Sequence, residues 1–154
     1  MGKYGSLLIV NGAVLFVIGL IAGLPFNDAA MAVDPAYPPE ALVMNPPGTE
    51  NGWRVAHLEG LMNGIFLFAV GAFGDRIKLS ERWTAILFWA LLAMTWLNVA
   101  GAFLAPMLGV RGLSPIDGAN TLINTMFTIV AIAAFLAMGL IIRGALAARN
   151  RNGA

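Results

Sequence analysis

A single histidine, His57, stands near the start of a strongly apolar segment, and it is the only imidazole in 154 residues. An ionisable group inside hydrocarbon is costly and marks a functional site by default. The chain has no cysteine. That excludes disulfides, thiolate-ligated haem, thioether-attached haem and cysteine zinc sites. Zinc usually takes three or four protein ligands, and no partner set accompanies His57. Glu59 is two residues away, on nearly the opposite face of a helix. Haem iron needs only one axial protein ligand, because the porphyrin supplies four nitrogens. A lone histidine therefore suits haem b better than a bare metal, with the sixth position open to substrate or filled by water. A structural hydrogen bond is the competing role for the same ring.

The residues around His57 extend this reading. His57, Gly60 and Gly64 fall on one helical face, with Gly71 further along it. A glycine stripe below a ligand histidine would let a flat macrocycle approach the helix backbone, which makes Gly60 and Gly64 cofactor-binding candidates. The same GxxxG spacing is also a close-packing motif between membrane helices. Asn63 lies at the depth of this stripe and could offer an N–H to a substrate oxygen above the iron. Asn98, one turn from Thr95, Gly101 and Ala102, is a second candidate for a pocket facing the His57 helix. Trp96, two residues before Asn98, is a candidate pocket wall. Arg54 and Arg111 are candidates for pairing with haem propionates. Trp53 and Trp83 read as interfacial anchors. Thr121, Thr125 and Thr128 read as helix glue.

These residues need spanning helices to position them. The chain is 59% hydrophobic and 11% charged, with mean hydropathy +0.80. Soluble domains carry about twice that charge. A spanning helix needs about 20 apolar residues, and four stretches qualify. They run over about 4–24, 53–73, 83–104 and 120–142. The reading is all-α: a polytopic membrane four-helix bundle, residues 1–154 forming one domain. The first apolar run reads as a retained helix rather than a cleaved signal. A proline-rich loop is expected over 25–52, since Pro25, Pro35, Pro38, Pro39, Pro46 and Pro47 oppose a regular helix. Lys3, Arg76, Lys78, Arg82, Arg143, Arg149 and Arg151 fall on one side of this plan, and only Arg54 and Arg111 on the other. The positive-inside rule then places both termini in the cytoplasm. No phosphate-binding loop, dinucleotide fingerprint or nucleophile elbow is present. Neither composition nor charge points to nucleic acid.

Gly52-Trp53-Arg54-Val55-Ala56-His57 followed by Asn63-Gly64 resembles the styrene oxide isomerase family, which shows GWxxAH and then an NG pair. A second block agrees: Trp96, Asn98, Val99 and Phe103, then Arg111-Gly112-Leu113. Pro46-Pro47-Gly48 is similar too. The resemblance implies a small four-helix protein of the bacterial inner (cytoplasmic) membrane, assembled as a homotrimer with haem b at subunit interfaces. His57 matches the family's haem-ligating histidine, Asn63 an asparagine beside the substrate, and Asn98 an asparagine of the third-helix pocket. The chain departs from the pattern at Met94, where an aspartate is expected, and at Ala102, where a pocket tyrosine is expected.

The implied reaction is redox-neutral: conversion of an apolar aryl epoxide to an aldehyde by Lewis-acid ring opening and a 1,2-hydride shift. Asn63 and Asn98 would orient the oxygen, with Trp96 and Ala102 lining the substrate pocket. A membrane-embedded site suits a substrate that partitions into lipid, and it keeps water from trapping a cation. The alternative is a cytochrome b-like or haem-holding membrane protein. Bis-histidine ligation there would need a second ring from another copy of the chain.

Overall fold

The structure, a computed structural model, describes residues 2–34, 36 and 44–152. Four long helices account for nearly all of them: α1 (Gly2–Val33), α2 (Glu50–Phe73), α3 (Glu81–Met107) and α4 (Gly118–Asn152). A 3-10 turn, Gly74–Arg76, leads out of α2. All four helices are long and apolar enough to cross a membrane. The most apolar stretch of α2 has a mean hydropathy of only 1.4, against 2.6 for α1. The polar load sits on α2 because that helix carries Glu50, Arg54, His57, Glu59 and Asn63.

The helices are longer than the apolar runs that announce them. Helix 1 does not stop before Pro25; it continues to Val33 with Pro25 inside it. A spanning helix tolerates proline where neighbouring elements re-satisfy the freed backbone. The returning chain holds this last part of α1: the Met44 N–H donates to the Asp28 carboxylate, which is only 4% exposed. The loop expected over 25–52 therefore narrows to the stretch between Val33 and Glu50. Pro35, Pro38, Pro39 and Glu40 lie outside the described residues. The described stretch from Pro47 to Thr49 is pinned. Trp53 Nε1 donates to the Pro47 carbonyl at 2.7 Å. Gly48 adopts φ +88° with its α-carbon against Pro106, where a Cβ would meet the Pro106 carbonyl oxygen at 2.5 Å. Thr49 caps α2 by accepting the Gly52 N–H.

Antiparallel α1 and α2 form the tightest pair, and glycine explains it. Gly5, Gly12 and Gly19 recur every seven residues on α1 and meet Gly71, Gly64 and Gly60 of α2. A Cβ on Gly60 would lie 2.3 Å from Gly19 Cα, and one on Gly64 would lie 2.8 Å from the Gly12 carbonyl oxygen. Small residues let membrane helices approach this closely, and the contact stabilises them by dispersion. The bundle core is Leu8, Leu15, Leu67, Leu87, Leu91 and Val99, with Ala137 and Leu140 of α4. A smaller cluster, Ala22, Ala29, Trp53, Ala56 and Ala102, fills the other end. Trp53 is thus a core residue at 4% exposure, not an interfacial anchor. Helix α4 lies mainly on α3 and turns Ile132 and Phe135 outward.

The basic residues separate as the sequence suggests. The Lys78 N–H donates to the Gly144 carbonyl at 3.0 Å, which brings the turn bearing Arg76, Lys78 and Arg82 beside Arg143. The Arg143 guanidinium lies 5.2 Å from the Trp83 ring centre. Arg54 and Arg111 belong to the opposite end.

Candidate membrane-embedded site

His57 sits in the α1–α2 seam, one turn beyond the last glycine contact. Its Nδ1 lies 2.8 Å from the Gly19 carbonyl oxygen. A carbonyl can only accept, so Nδ1 carries the hydrogen and Nε2 keeps a free lone pair. Gly23 leaves room for the ring; a Cβ there would lie 3.0 Å from Nδ1. Phe26 stacks beside the imidazole at 6.0 Å between ring centres. This is how a metal-ligating histidine is usually held, with one nitrogen fixed by a carbonyl and the other presented. A haem iron would fit this donor, since Nε2 of His57 has no partner among the described residues and the ring is oriented by the Gly19 carbonyl.

The glycine stripe is not a groove. Helix α1 fills the space over Gly60 and Gly64, so these two residues pack α2 and do not line a cofactor surface. Backbone-to-backbone contact wins because α1 carries matching glycines at matching heights. The surface that α2 leaves uncovered is a different stripe, Val55, Leu58, Met62 and Ile65, each more than 40% exposed. By helical angle it lies between His57 and Glu59.

Glu59 organises the second polar group. Its Oε2 accepts from Asn98 Nδ2 at 2.5 Å and from Asn63 Nδ2 at 3.0 Å. Asn63 Nδ2 also donates to the Glu59 carbonyl at 2.8 Å. The structure therefore brings Asn63 and Asn98 together, but around a carboxylate and across α2 from His57. Both N–H bonds of Asn63 are spent, so Asn63 does not offer a free donor to a substrate. Asn98 keeps one N–H. Sequence reasoning set Glu59 aside because it faces away from His57. The signal was nonetheless present: Glu59 lies about 13 Å along a helix about 36 Å long, well inside a candidate membrane span, where an acid marks a site by default.

An apolar cavity of about 360 Å³ opens beside this cluster. Val55 of α2, Ala102 and Pro106 of α3, Phe127 of α4 and Arg111 of the α3–α4 loop line it. Glu59 lies one turn deeper than Val55, and Asn98 one turn deeper than Ala102, so the polar cluster lies beyond the cavity's inner end. Ala102 and Arg111 thus share one cavity, on the side of α2 away from His57. Trp96 does not line it. Its Nε1 donates to Asn11 Oδ1 at 2.9 Å and ties α3 to α1. Met94, at the other departure from the family pattern, is half-buried against the core.

Arg111 is placed by its neighbour. Gly112 has φ +65° and lies so close to α4 that a Cβ would come within 2.2 Å of Ile123 Cγ2. Asn120 accepts the Gly112 N–H at 3.0 Å, and Asn124 donates to its carbonyl at 3.1 Å. These two amides are loop clamps rather than glue between helices. Thr125 and Thr128 bond only to carbonyls of their own helix. At the start of α4, Asp117 accepts the Asn120 N–H at 2.7 Å. That bond and a second from the Asn120 side chain hold its carboxyl below the usual aspartate range.

The family model described as styrene oxide isomerase matches residues 4–146. Hydroxylaminobenzene mutase HabA of Ectopseudomonas oleovorans is 30% identical over 111 residues, which is 71% of this chain and 68% of that protein. No solved structure matches.

Proposed function

The chain belongs to the styrene oxide isomerase family, and from that premise we propose a haem b-dependent isomerase that converts an apolar aryl epoxide to an aldehyde. It is a multi-pass membrane protein of isomerase type. The observation that carries the finer reading is His57: Nδ1 bound to the Gly19 carbonyl, Nε2 without a partner among the described residues, on a helix apolar enough to span a membrane. Haem iron held at Nε2 would supply a Lewis acid for the epoxide oxygen.

The chain's own residues do the rest. Val55, Ala102, Pro106 and Phe127 bind an aromatic ring and exclude water. The second N–H of Asn98 is the donor we assign to the oxygen once a neighbouring copy closes the chamber, and Glu59 fixes that amide. As the C–O bond breaks, its electron pair goes to oxygen and the benzylic carbon becomes positive. Hydride then migrates to that carbon with its pair, and C=O forms. No atom is lost and no reductant is needed. Water kept out of the site cannot turn the cation into a diol.

His57 and the Asn98 cluster flank the exposed stripe Val55, Leu58, Met62 and Ile65. A second copy covering that stripe would close one chamber over both, which favours the homotrimer with haem at subunit interfaces. The segregation of basic residues favours cytoplasmic termini in a bacterial inner membrane. The relative's name adds a second substrate to assay, an aryl hydroxylamine. In both compounds the atom next to the ring carries the oxygen. The test is an incubation of purified protein with styrene oxide and with phenylhydroxylamine. Phenylacetaldehyde formation supports the reading, and an unchanged epoxide overturns it.

A further inference from the structure

Glu59 is the one acidic side chain more than two turns inside any described helix; Asp28 and the other described acids lie near helix ends or in loops. Two amides converge on its Oε2, while Oε1 is left without a protein partner among the described residues. The neighbouring cavity wall is apolar, and its one charged residue, Arg111, belongs to the loop at the outer end. The compartment is therefore polarised, with a guanidinium at the mouth and a carboxylate one turn below the floor.

We infer that Glu59 is the anionic pole of this cavity, which selects an aromatic ligand carrying or developing positive charge at the atom next to the ring. The inference deepens the reading above and rests on it for the reaction, though not for binding. In a medium of low dielectric a fixed carboxylate attracts a cation far more strongly than water would. Its donors Asn63 and Asn98 are already in place, so little reorganisation accompanies charge development. When the bond to oxygen breaks, oxygen takes the electron pair and positive charge appears at that atom. Glu59 forms no bond to it. The two amides hold the carboxylate as a counter-charge rather than a nucleophile. The same logic covers the epoxide carbon and the hydroxylamine nitrogen, two substrates that otherwise share only the ring.

The probes are phenyltrimethylammonium and tert-butylbenzene, isosteres that differ only in a permanent positive charge at the atom next to the ring. Each is titrated by calorimetry into the detergent-purified full chain at pH 7, as wild type, Glu59→Gln and Ala102→Phe. Glutamine keeps an acceptor oxygen for Asn63 and Asn98 and removes the charge. The expected result is at least tenfold weaker ammonium binding in Glu59→Gln, with tert-butylbenzene unchanged within twofold. Comparing variants ligand by ligand cancels partitioning into the micelle. Ala102→Phe, which fills the cavity, should weaken both ligands. Equal ammonium affinity in wild type and Glu59→Gln would overturn the inference, and so would an Ala102→Phe variant that binds both ligands as wild type does. Failure of wild type to bind either probe would overturn it as well. A preserved ammonium preference in a protein that isomerises no substrate would sink the reaction and leave this site standing. If epoxides do turn over, Glu59→Gln should lower kcat at least tenfold with KM within threefold. It should also steepen the dependence of rate on electron-donating ring substituents, which a merely structural residue would not do.

Discussion

Gly60→Ala should loosen His57, the proposed haem ligand, without touching it. The new Cβ would lie 2.3 Å from Gly19 Cα and 2.6 Å from Gly19 N, both backbone atoms that cannot rotate away. Widening 2.3 Å to the 3.4 Å at which ordinary contact begins drives α1 and α2 apart by about 1.1 Å at this level. The His57–Gly19 hydrogen bond, 2.8 Å long, spans the same seam one turn away. An equal opening there would stretch it to roughly 3.9 Å, beyond hydrogen-bond range. Two effects follow. Overpacking should cost about 1–3 kcal/mol of stability, and losing the bond that orients the imidazole should weaken metal binding about 10- to 100-fold. The assay is thermal unfolding in one detergent, together with haem titration followed at the Soret band. Gly139→Ala in α4 is the control, because nothing lies within 4 Å of its new Cβ. Wild-type haem affinity in a folded Gly60→Ala protein would refute the link between the glycine seam and the ligand histidine.

Other outcomes follow from the same geometry. Ala102→Phe places a phenyl group in a cavity of about 360 Å³; kcat/KM for a naphthyl epoxide should fall at least tenfold, about 1.4 kcal/mol, and more than for styrene oxide. Gly112→Ala puts a Cβ at φ +65° against Ile123 and should cost about 1–3 kcal/mol in a melting experiment. Asp117 has a folded-state pKa below its unfolded value because the Asn120 donors favour its charged form. Its stabilising effect on α4 is therefore present above the unfolded pKa and lost as pH falls through the folded one. Asp117→Ala should accordingly melt below wild type at pH 7, and the gap should close in acid.

The span count, the polar character of the second helix and the separation of basic ends were readable because hydropathy and charge are local properties. His57 was readable for the same reason, as an expensive group inside hydrocarbon. What the sequence did not reveal was facing. Gly60 and Gly64 suit a cofactor groove or a helix seam equally well until Gly12 and Gly19 are known to lie opposite them. Asn63 looked like a free donor, but its N–H groups are consumed by Glu59, one turn back on its own helix. Trp96 turns to α1 because Asn11, 85 residues earlier, accepts its N–H. Helix ends were misjudged where tertiary contacts override local signals, as where Asp28 and Met44 hold α1 together past Pro25.

Absorption of the purified protein after titration with haem tests the account at its root. A Soret band that saturates at one haem per chain or less in wild type, and is absent in His57→Ala, is the predicted result. A protein that takes up no haem, or a His57→Ala variant that takes it up as wild type does, would contradict the account.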